Sequence, residues 1–247
     1  MQYNQRVLLK HALGQVVTWA GWPGVQRRLA RAKVLVLTYH GVTRGTEDGY
    51  VFRQSVEART FDAQLTWLSR HYRFLRLSSL VDALHGRKPF PEGGVVVTFD
   101  DGLRNVRESA LPVLLKHEAP ATVFVCSGWV GRGPLWTDEV NVLVMGAPRE
   151  TLASPFDDGR QFPLRGLAAR ERAAHAVRVR MKRLDPSARA EALTRLRQAC
   201  LGGGRAVDID PECHDLLSWD DIRVLSRAGI EIGSHGSTHT VDRKSVV

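Results

Sequence analysis

The stretch Thr98-Phe99-Asp100-Asp101-Gly102 closes an apolar run that starts at Val95, and it decides the predicted fold. An uninterrupted apolar and β-branched run of this kind is typical of a strand buried on both faces, as in a parallel sheet. Gly102 then allows a sharp turn that a residue with a Cβ would resist. The predicted strand therefore ends in two adjacent carboxylates. Neighbouring residues of a strand point to opposite sides, so one acid could hold a metal ion while the other transfers a proton.

The composition is that of an ordinary soluble globular protein, with 247 residues, 43% hydrophobic and 25% charged. The formal net charge of +9 suits acidic polymers, nucleic acid or an anionic membrane face. No nucleic-acid-binding motif accompanies the charge, so a solvated basic surface is favoured and no nucleic-acid partner is expected. The three cysteines are odd in number and form no CxxC, which argues against a disulfide framework and a thiolate zinc site. Cys126 lies in an apolar run and is predicted to be a core residue.

Residues 1–33 are predicted to form an N-terminal amphipathic helix and a basic linker. The helix either packs on its own domain, the favoured alternative, or lies on a membrane surface as a peripheral contact. No apolar run has the length of a transmembrane span, and the segment does not resemble a signal peptide. A cytoplasmic or peripheral membrane location is therefore expected, with the compartment left open.

Strand-like and helix-like segments alternate along the chain, which predicts parallel βα units and an α/β fold. The interrupting region 137–210 is predicted to be a helical, arginine-rich insertion, with a helix near 138–145, a loop, and helices at about 167–184 and 186–200. Between 149 and 205 it carries thirteen basic and six acidic residues. It forms either a substrate rim or a solvated outer layer, and the second is favoured. The remaining local predictions are strands at 34–39, 74–77, 121–125 and 230–232, a loop at 44–59, helix caps at Thr60, Ser78 or Ser79, and Ser218, and a kink at Pro112.

Two histidines follow the last predicted strand, in Ser234-His235-Gly236-Ser237-Thr238-His239. On a helical turn, their spacing of four would place both imidazoles on one side, where they could bind one cation. In parallel α/β folds, functional groups collect at the C-terminal ends of strands, where Asp100, Asp101 and His40 also fall. Two histidines and one carboxylate leave open positions for water and substrate, which suits metal-assisted hydrolysis.

These segments resemble the polysaccharide deacetylases, the NodB-homology or carbohydrate esterase family 4 enzymes. The stretches at 98–102 and 234–239 look like the first two family motifs, and Leu37-Thr38-Tyr39-His40-Gly41-Val42 looks like the opening strand. Segments 120–125 and 217–235 are similar to later parts of the family pattern. The resemblance covers about 34–241, apart from the insertion.

The resemblance implies a distorted (β/α) barrel and the removal of acetyl groups from an N-acetylated or O-acetylated polysaccharide or glycan. By the family pattern, Asp100 is the catalytic base. Asp101, His235 and His239 would hold one divalent metal ion, usually zinc. His40 has no role in those motifs and is a candidate pocket residue or a structural one. The sugar, the linkage and the physiological metal stay open.

The match stops short of the whole family pattern, whose remaining motifs lie beyond the histidine pair. Residues 34–241 are therefore expected to form a partial catalytic domain, with the barrel incomplete at its C-terminus and the general acid missing. Residues 242–247 do not continue the pattern. They are expected to be a non-native tail, such as a translated sequencing adapter, with a genuine polar tail as the alternative.

Two functions from different classes remain. The first is a metal-dependent polysaccharide deacetylase, of which this chain is an N-terminal fragment expected to be inactive by itself. The alternative is a catalytically inactive carbohydrate-binding or scaffold domain. The presence of all four residues Asp100, Asp101, His235 and His239 favours the enzyme.

Overall fold

The computed structural model of the chain describes residues 33–45, 55–201 and 215–239. Within these ranges a parallel four-stranded sheet forms the centre, in the order β1-β4-β5-β8, accompanied by one parallel and one antiparallel two-stranded sheet. The α/β class is thus confirmed. The strands are β1 (Val34–Tyr39), β2 (Gly41–Thr43), β3 (Ser55–Glu57), β4 (Gly94–Phe99), β5 (Ala121–Val125), β6 (Thr151–Ala153), β7 (Gln161–Pro163) and β8 (Glu231–Ser234).

Helices connect these strands and cover the sheet. A π-helical turn, Val106–Ala110, and a 3₁₀ turn, Ser127–Trp129, accompany them. The α-helices are α1 (Ala58–Ser69), α2 (Leu77–Leu84), α3 (Leu111–Lys116), α4 (Trp136–Gly146), α5 (Leu167–Met181), α6 (Pro186–Leu201) and α7 (Trp219–Arg227).

Strand β4 is the buried centre of the fold, as its apolar sequence predicts. All six of its residues are buried, and it pairs in parallel with β1 on one side and β5 on the other. Phe99 packs against Tyr39 and Phe61, with ring centroids 5.6 and 5.8 Å apart. Because all four strands are parallel, their carboxyl ends lie along one edge of the sheet. The residues that follow β1, β4 and β8 are therefore brought to the same edge.

The insertion builds a second apolar core of its own, formed by α4, α5, α6 and the hairpin β6–β7. The predicted helices are confirmed, but the predicted loop between them was wrong in part, because β6 and β7 pair within it. Arg170 joins α5 to α4, since its guanidinium donates to the carbonyls of Val144, Met145 and Ala147. These acceptors lie at the C-terminal end of α4, where carbonyls lack partners within the helix.

Several local predictions were wrong in detail. Thr60 lies inside α1, which begins at Ala58 after Glu57, and α2 begins at Leu77 rather than at a serine cap. In both cases an extended residue precedes the helix and supplies no side-chain hydrogen bond. At α2 the Glu231 carboxylate accepts from the Ser78 amide in the first turn instead. The predicted strand at 74–77 is reduced to one bridge, from Phe74 to Val95.

The remaining local predictions concern the loop at 44–59, the kink at Pro112 and the cap at Ser218. The predicted loop at 44–59 contains β3 and the start of α1. The expected break near Pro112 occurs as the π-helical turn, which leaves Pro112 in the first turn of α3, where its missing N–H has no helical partner to lose. Ser218 does form the predicted capping box with Asp221.

The sheet does not close into a barrel within the described ranges, and β1 and β8 are its edges there. The predicted N-terminal helix, Cys213 and the tail at 242–247 lie outside those ranges. Cys126 and Cys200 are buried free thiols, which agrees with the core position predicted for Cys126. In the part of the chain that is described, every helix is too short or too polar to cross a membrane.

Candidate metal centre

Asp101 is held by a left-handed turn at the carboxyl end of β4. Its φ is 72° and that of Gly102 is 74°, so two consecutive residues leave the strand in a conformation that non-glycine residues rarely adopt. Asp101 is 5% exposed, whereas Asp100 is partly exposed. A left-handed aspartate costs conformational energy, and such strain is concentrated at functional sites.

The histidine pair lies on an irregular turn rather than on a helical turn. β8 ends at Ser234, and left-handed φ values of 81° at Gly236 and 51° at His239 bend the chain after it. The spacing argument, which holds for a helical turn, therefore does not describe this segment, because its backbone cannot form consecutive helical hydrogen bonds. The two imidazoles still lie side by side, with ring centroids 5.5 Å apart.

The segment after β5 holds this turn through its backbone. The amides of Ser127 and Gly128 donate to the carbonyls of Gly236 and Ser237 at 3.0 and 3.1 Å. A Cβ on Gly128 would lie 2.6 Å from the Ser237 carbonyl oxygen, so only glycine allows this approach. The His235 amide donates to the Val125 carbonyl at 2.8 Å, which continues the pairing of β8 with β5. The histidine turn is thus fixed to the central sheet.

Asp101, His235 and His239 converge. One candidate ligand atom from each lies within 4.8 Å of the others. The Nε2 atoms of His235 and His239 are 3.4 and 3.1 Å from the same oxygen, Asp101 Oδ1. Among the described residues this is the one group of three or more histidine, cysteine, aspartate or glutamate side chains with metal-binding geometry.

The donor set fits a divalent cation. Asp101 Oδ1 and His239 Nδ1 are buried, and neither has a hydrogen-bond partner within the described ranges. A buried carboxylate oxygen without a donor is costly unless a cation compensates it. Two imidazoles and one carboxylate are ligands that zinc accepts, and they leave a coordination position open. The nearby Cys126 contributes no thiolate, because burial, with the charges of Asp101 and Asp100, raises the pKa of its thiol to about 12.

Electrostatics keep Asp101 ionised. Burial alone would raise the pKa of its carboxyl, but the neighbouring His239 imidazole and the charges of His40 and His235 outweigh that effect and lower the pKa. An anionic carboxylate beside imidazole nitrogens is the protonation state that binds a cation. The charge of His40 is thus one of the charges that act on the Asp101 carboxylate.

Asn105 holds the segment that follows His40. The Asp100 amide donates to the Tyr39 carbonyl at 2.9 Å, which aligns the ends of β1 and β4. The buried Asn105 side chain accepts a hydrogen bond from the Val42 amide at 3.3 Å. A Cβ on Gly41 would lie 2.6 Å from Asn105 Oδ1, so glycine is needed directly after His40.

Two residues in the first turn of α4 also lie near the site, and nothing in the sequence distinguished them. The Trp136 indole Nε1 donates to the His239 carbonyl at 3.4 Å. Asp138 is 9% exposed, and burial, with the negative charge of Asp101, raises its pKa to about 7. A tryptophan and an acid in the first turn of an amphipathic helix are common, so only the tertiary structure reveals their position.

The fold and this geometry define an α/β protein with a candidate single-metal site at the carboxyl edge of a parallel sheet. The family model described as polysaccharide deacetylase matches residues 87–244, which is more than half of the chain. The chain belongs to the polysaccharide deacetylase family. The resemblance seen in the sequence is confirmed.

Curated relatives align with only part of the chain. It is 33% identical over 108 residues to the poly-beta-1,6-N-acetyl-D-glucosamine N-deacetylase of Staphylococcus aureus strain MSSA476, covering 39% of this chain and 37% of that protein. It is 35% identical over 78 residues to the Staphylococcus epidermidis protein of that name, covering 31% and 27%. The matched region thus spans 37% of the length of the first relative and 27% of that of the second.

Solved structures of deacetylases are also similar. IcaB from Ammonifex degensii is 25% identical, with 79% of this chain and 97% of that chain covered and a TM-score of 0.37. The Streptococcus pyogenes deacetylase PplD, in complex with acetate, is 27% identical over 39% of this chain and 44% of that chain, with a TM-score of 0.35. These TM-scores are too low to support a structural argument, so the fold described above rests on this chain alone.

Proposed function

We propose that the chain carries the metal site of a hydrolase that removes acetyl groups from an N-acetylated polysaccharide. The observation that carries the proposal is the convergence of His235 Nε2 and His239 Nε2 on Asp101 Oδ1, at 3.4 and 3.1 Å. Family membership supplies the reaction class, and the three residues supply the ligands. Zinc is the proposed metal, because it accepts a donor set of two histidines and one carboxylate.

Asp101, His235 and His239 would hold the ion, and the backbone contacts of their turns would keep them in place. When bound, the metal would polarise the acetyl carbonyl and lower the pKa of water toward about 7. The buried position of Asp101 suits this role, because a charge in a shielded site acts more strongly than one in bulk water.

Asp100 is the proposed general base. It follows β4 directly, next to the ligand Asp101, and its side chain is partly exposed, which leaves it accessible to water. The base takes a proton from the attacking water as the oxygen bonds to the acetyl carbon. General base catalysis of this kind contributes roughly 10²–10⁴-fold to a rate.

His40 is the proposed general acid, which replaces the expectation that the acid is missing from the chain. The residue follows β1 at the same edge of the sheet, and its charge acts on Asp101. When the C–N bond breaks, the leaving amine must gain a proton, and histidine is the commonest donor for such a step. Acetate and the free amino sugar are then the products.

The proposed substrate class is a β-linked polymer of N-acetylglucosamine. The curated relatives are named for poly-beta-1,6-N-acetyl-D-glucosamine, although they match this chain over only 39% of its length. O-acetylated glycans are a second substrate class that the same metal chemistry could serve. The linkage is set by residues that contact the sugars, and the ligands alone do not determine it.

Calorimetric titration of the chain with zinc tests the metal site. We expect one ion per chain, and a loss of binding in Asp101→Asn and His239→Ala. His85→Ala is the matched control, because His85 is exposed and its Nδ1 lies 2.9 Å from the Val81 carbonyl, in the helix that precedes it. Zinc binding that persists in Asp101→Asn and His239→Ala contradicts the site.

Acetate release from acetylated poly-N-acetylglucosamine tests the reaction. We expect zinc-dependent release that falls in Asp100→Asn and in His40→Gln while both variants still bind zinc. Binding of zinc and glycan without acetate release would instead support the alternative of a carbohydrate-binding module.

A further inference from the structure

The first turn of α4 packs against the second histidine of the site. Trp136 is 3% exposed, and its indole donates to the backbone carbonyl of His239. Asp138 follows two residues later and is also buried. The insertion therefore contacts the histidine turn directly, although it lies far from it in sequence.

His239 has one ring nitrogen without a partner. Its Nε2 lies 3.1 Å from Asp101 Oδ1, whereas its Nδ1 is buried and has no hydrogen-bond partner within the described ranges. An imidazole that binds a metal through Nε2 is neutral and carries its proton on Nδ1. That N–H needs an acceptor, and in metal sites the acceptor is usually a carboxylate, a backbone carbonyl or water.

Asp138 is the buried carboxylate that can supply this acceptor. Its charge interacts with those of Asp101, His239 and Arg178, which are the ionisable groups around it. Arg178 comes from α5, and its Nε is buried without a hydrogen-bond partner in the described part of the chain. Asp138 is buried in the same helical turn whose Trp136 indole contacts the His239 carbonyl, which places it beside the histidine turn.

We propose that Asp138 and Trp136 are positioning residues for His239. The structure does not contain a hydrogen bond between Asp138 and His239 Nδ1; with the metal bound, the Asp138 carboxylate would accept from His239 Nδ1–H and so fix the tautomer that presents Nε2 to the metal. The Trp136 indole holds the backbone carbonyl of the same residue. This inference rests on the proposed metal site and adds to it a function for the insertion, which is to set the orientation of one ligand.

Zinc affinity measured by calorimetry on the full chain tests the inference. Loss of a partner that orients a metal ligand typically lowers affinity about 10–100-fold, and we expect Asp138→Ala to fall in that range. Asp138→Asn keeps an oxygen acceptor and should recover much of the loss. Trp136→Phe removes the indole N–H together with part of the ring, and its zinc affinity should fall less than that of Asp138→Ala.

Glu139→Gln is the matched control. Glu139 lies in the same helical turn, but its carboxylate pairs with Arg197, at 2.9 Å from the guanidinium Nη2. The zinc affinity of this variant should equal that of the unaltered chain. Circular dichroism identifies any variant that fails to fold, and the milder variants Asp138→Asn and Trp136→Phe keep the comparison interpretable if Asp138→Ala does not fold.

Nitrogen-15 NMR of the histidine rings measures the exchange of the ring protons, which a general loss of stability would not change at His239 alone. In the zinc-loaded chain we expect a slowly exchanging Nδ1 proton on His239, and faster exchange of that proton in Asp138→Ala. Unchanged zinc affinity and unchanged exchange in folded Asp138→Ala would overturn the inference while leaving the metal site intact. An unaltered chain that binds no divalent ion would overturn the proposed function, and this inference with it.

Discussion

Two carboxylates at opposite ends of the central sheet have opposite surroundings. Glu231, at the amino end of β8, accepts hydrogen bonds from the Ser78 amide, the Ser78 hydroxyl and the Thr122 hydroxyl, at 3.3, 2.5 and 2.9 Å. Arg76 lies 3.9 Å from it. Asp101, at the carboxyl end of β4, is more buried, yet in the described part of the chain its Oδ1 has no amide or hydroxyl donor and instead faces the Nε2 atoms of His235 and His239, at 3.4 and 3.1 Å. The surroundings of Glu231 satisfy its charge, whereas those of Asp101 leave a position for a cation.

The comparison distinguishes Glu231, a carboxylate that stabilises the fold, from Asp101, a carboxylate whose position serves metal binding. A buried polar atom without a partner costs about 1–3 kcal/mol, so its presence calls for a functional explanation. Left-handed backbone at Asp101 and His239 adds to that cost. If the comparison is correct, substitutions at Asp101 should impair binding without loss of stability, and substitutions at Glu231 should do the reverse.

The largest effect is expected for Asp101→Asn. Zinc affinity should fall by more than the roughly 100-fold that loss of a partner behind a ligand can cost, because a ligand itself is lost. The metal-free variant should unfold at nearly the same urea concentration as the unaltered chain, because the substitution removes two opposing contributions, the burial of the charge and its attraction to the neighbouring histidines. Calorimetry and urea denaturation measure the two quantities. A clear loss of metal-free stability would contradict the comparison.

Asp100→Asn should separate catalysis from binding. The amide cannot take a proton from water, so acetate release should fall roughly 10²–10⁴-fold. Zinc affinity should stay within about threefold of the unaltered value, because Asp100 is not a proposed ligand and even a residue that supports a ligand typically changes affinity about 10-fold or more. Turnover assays with saturating zinc measure the first quantity, and calorimetry measures the second. Retained turnover would exclude Asp100 as the base.

Glu231→Gln should affect stability alone. Hydrogen bonds to a charged group contribute about 1.5–3 kcal/mol, and we expect a loss of unfolding free energy of that order at pH 7. Burial of Glu231 would raise its pKa, but the Ser78 and Thr122 hydrogen bonds outweigh burial and lower it. The folded-state pKa is thus below the unfolded value, so the stabilisation is present above pH 4.5 and is lost as the pH falls further.

Urea denaturation at pH 7 and at about pH 3 measures this change, and the gap between Glu231→Gln and the unaltered chain should narrow at the lower pH. Asp220→Asn is the control, because Asp220 forms an exposed pair with Arg223 and its side chain is 92% exposed. Such a pair contributes about 0–1 kcal/mol. A gap that widens in acid would show that the charge of Glu231 does not stabilise the fold.

The smallest effect is expected for Thr122→Val, which removes one of the donors to Glu231 and keeps the shape of the side chain. Because Ser78 still donates twice, the loss of unfolding free energy should be about 0.5–1.5 kcal/mol. Urea denaturation of Thr122→Val, Glu231→Gln and the double variant measures the coupling between the two residues. If the effects of the two single substitutions add up to that of the double variant, the hydrogen bond from Thr122 to Glu231, at 2.9 Å, contributes little to stability.

The elements that local pattern determines could be predicted from the sequence. The apolar run of β4 and the capping box at Ser218 both appear where expected, because each depends on neighbouring residues. The shape of the histidine turn could not be predicted, since it follows from left-handed residues and from contacts with Gly128, which is distant in sequence. Trp136 and Asp138 could not be predicted either, because their proximity to His239 exists only once the insertion has packed.

The central claim is that Asp101, His235 and His239 bind one metal ion. Anomalous diffraction from crystals grown with zinc tests it most directly. We expect one peak at roughly 2.0–2.2 Å from an Asp101 carboxylate oxygen and at roughly 2.0–2.1 Å from the Nε2 atoms of His235 and His239. A zinc peak elsewhere with none between these three side chains, or three side chains that point apart in the crystal, would contradict the claim.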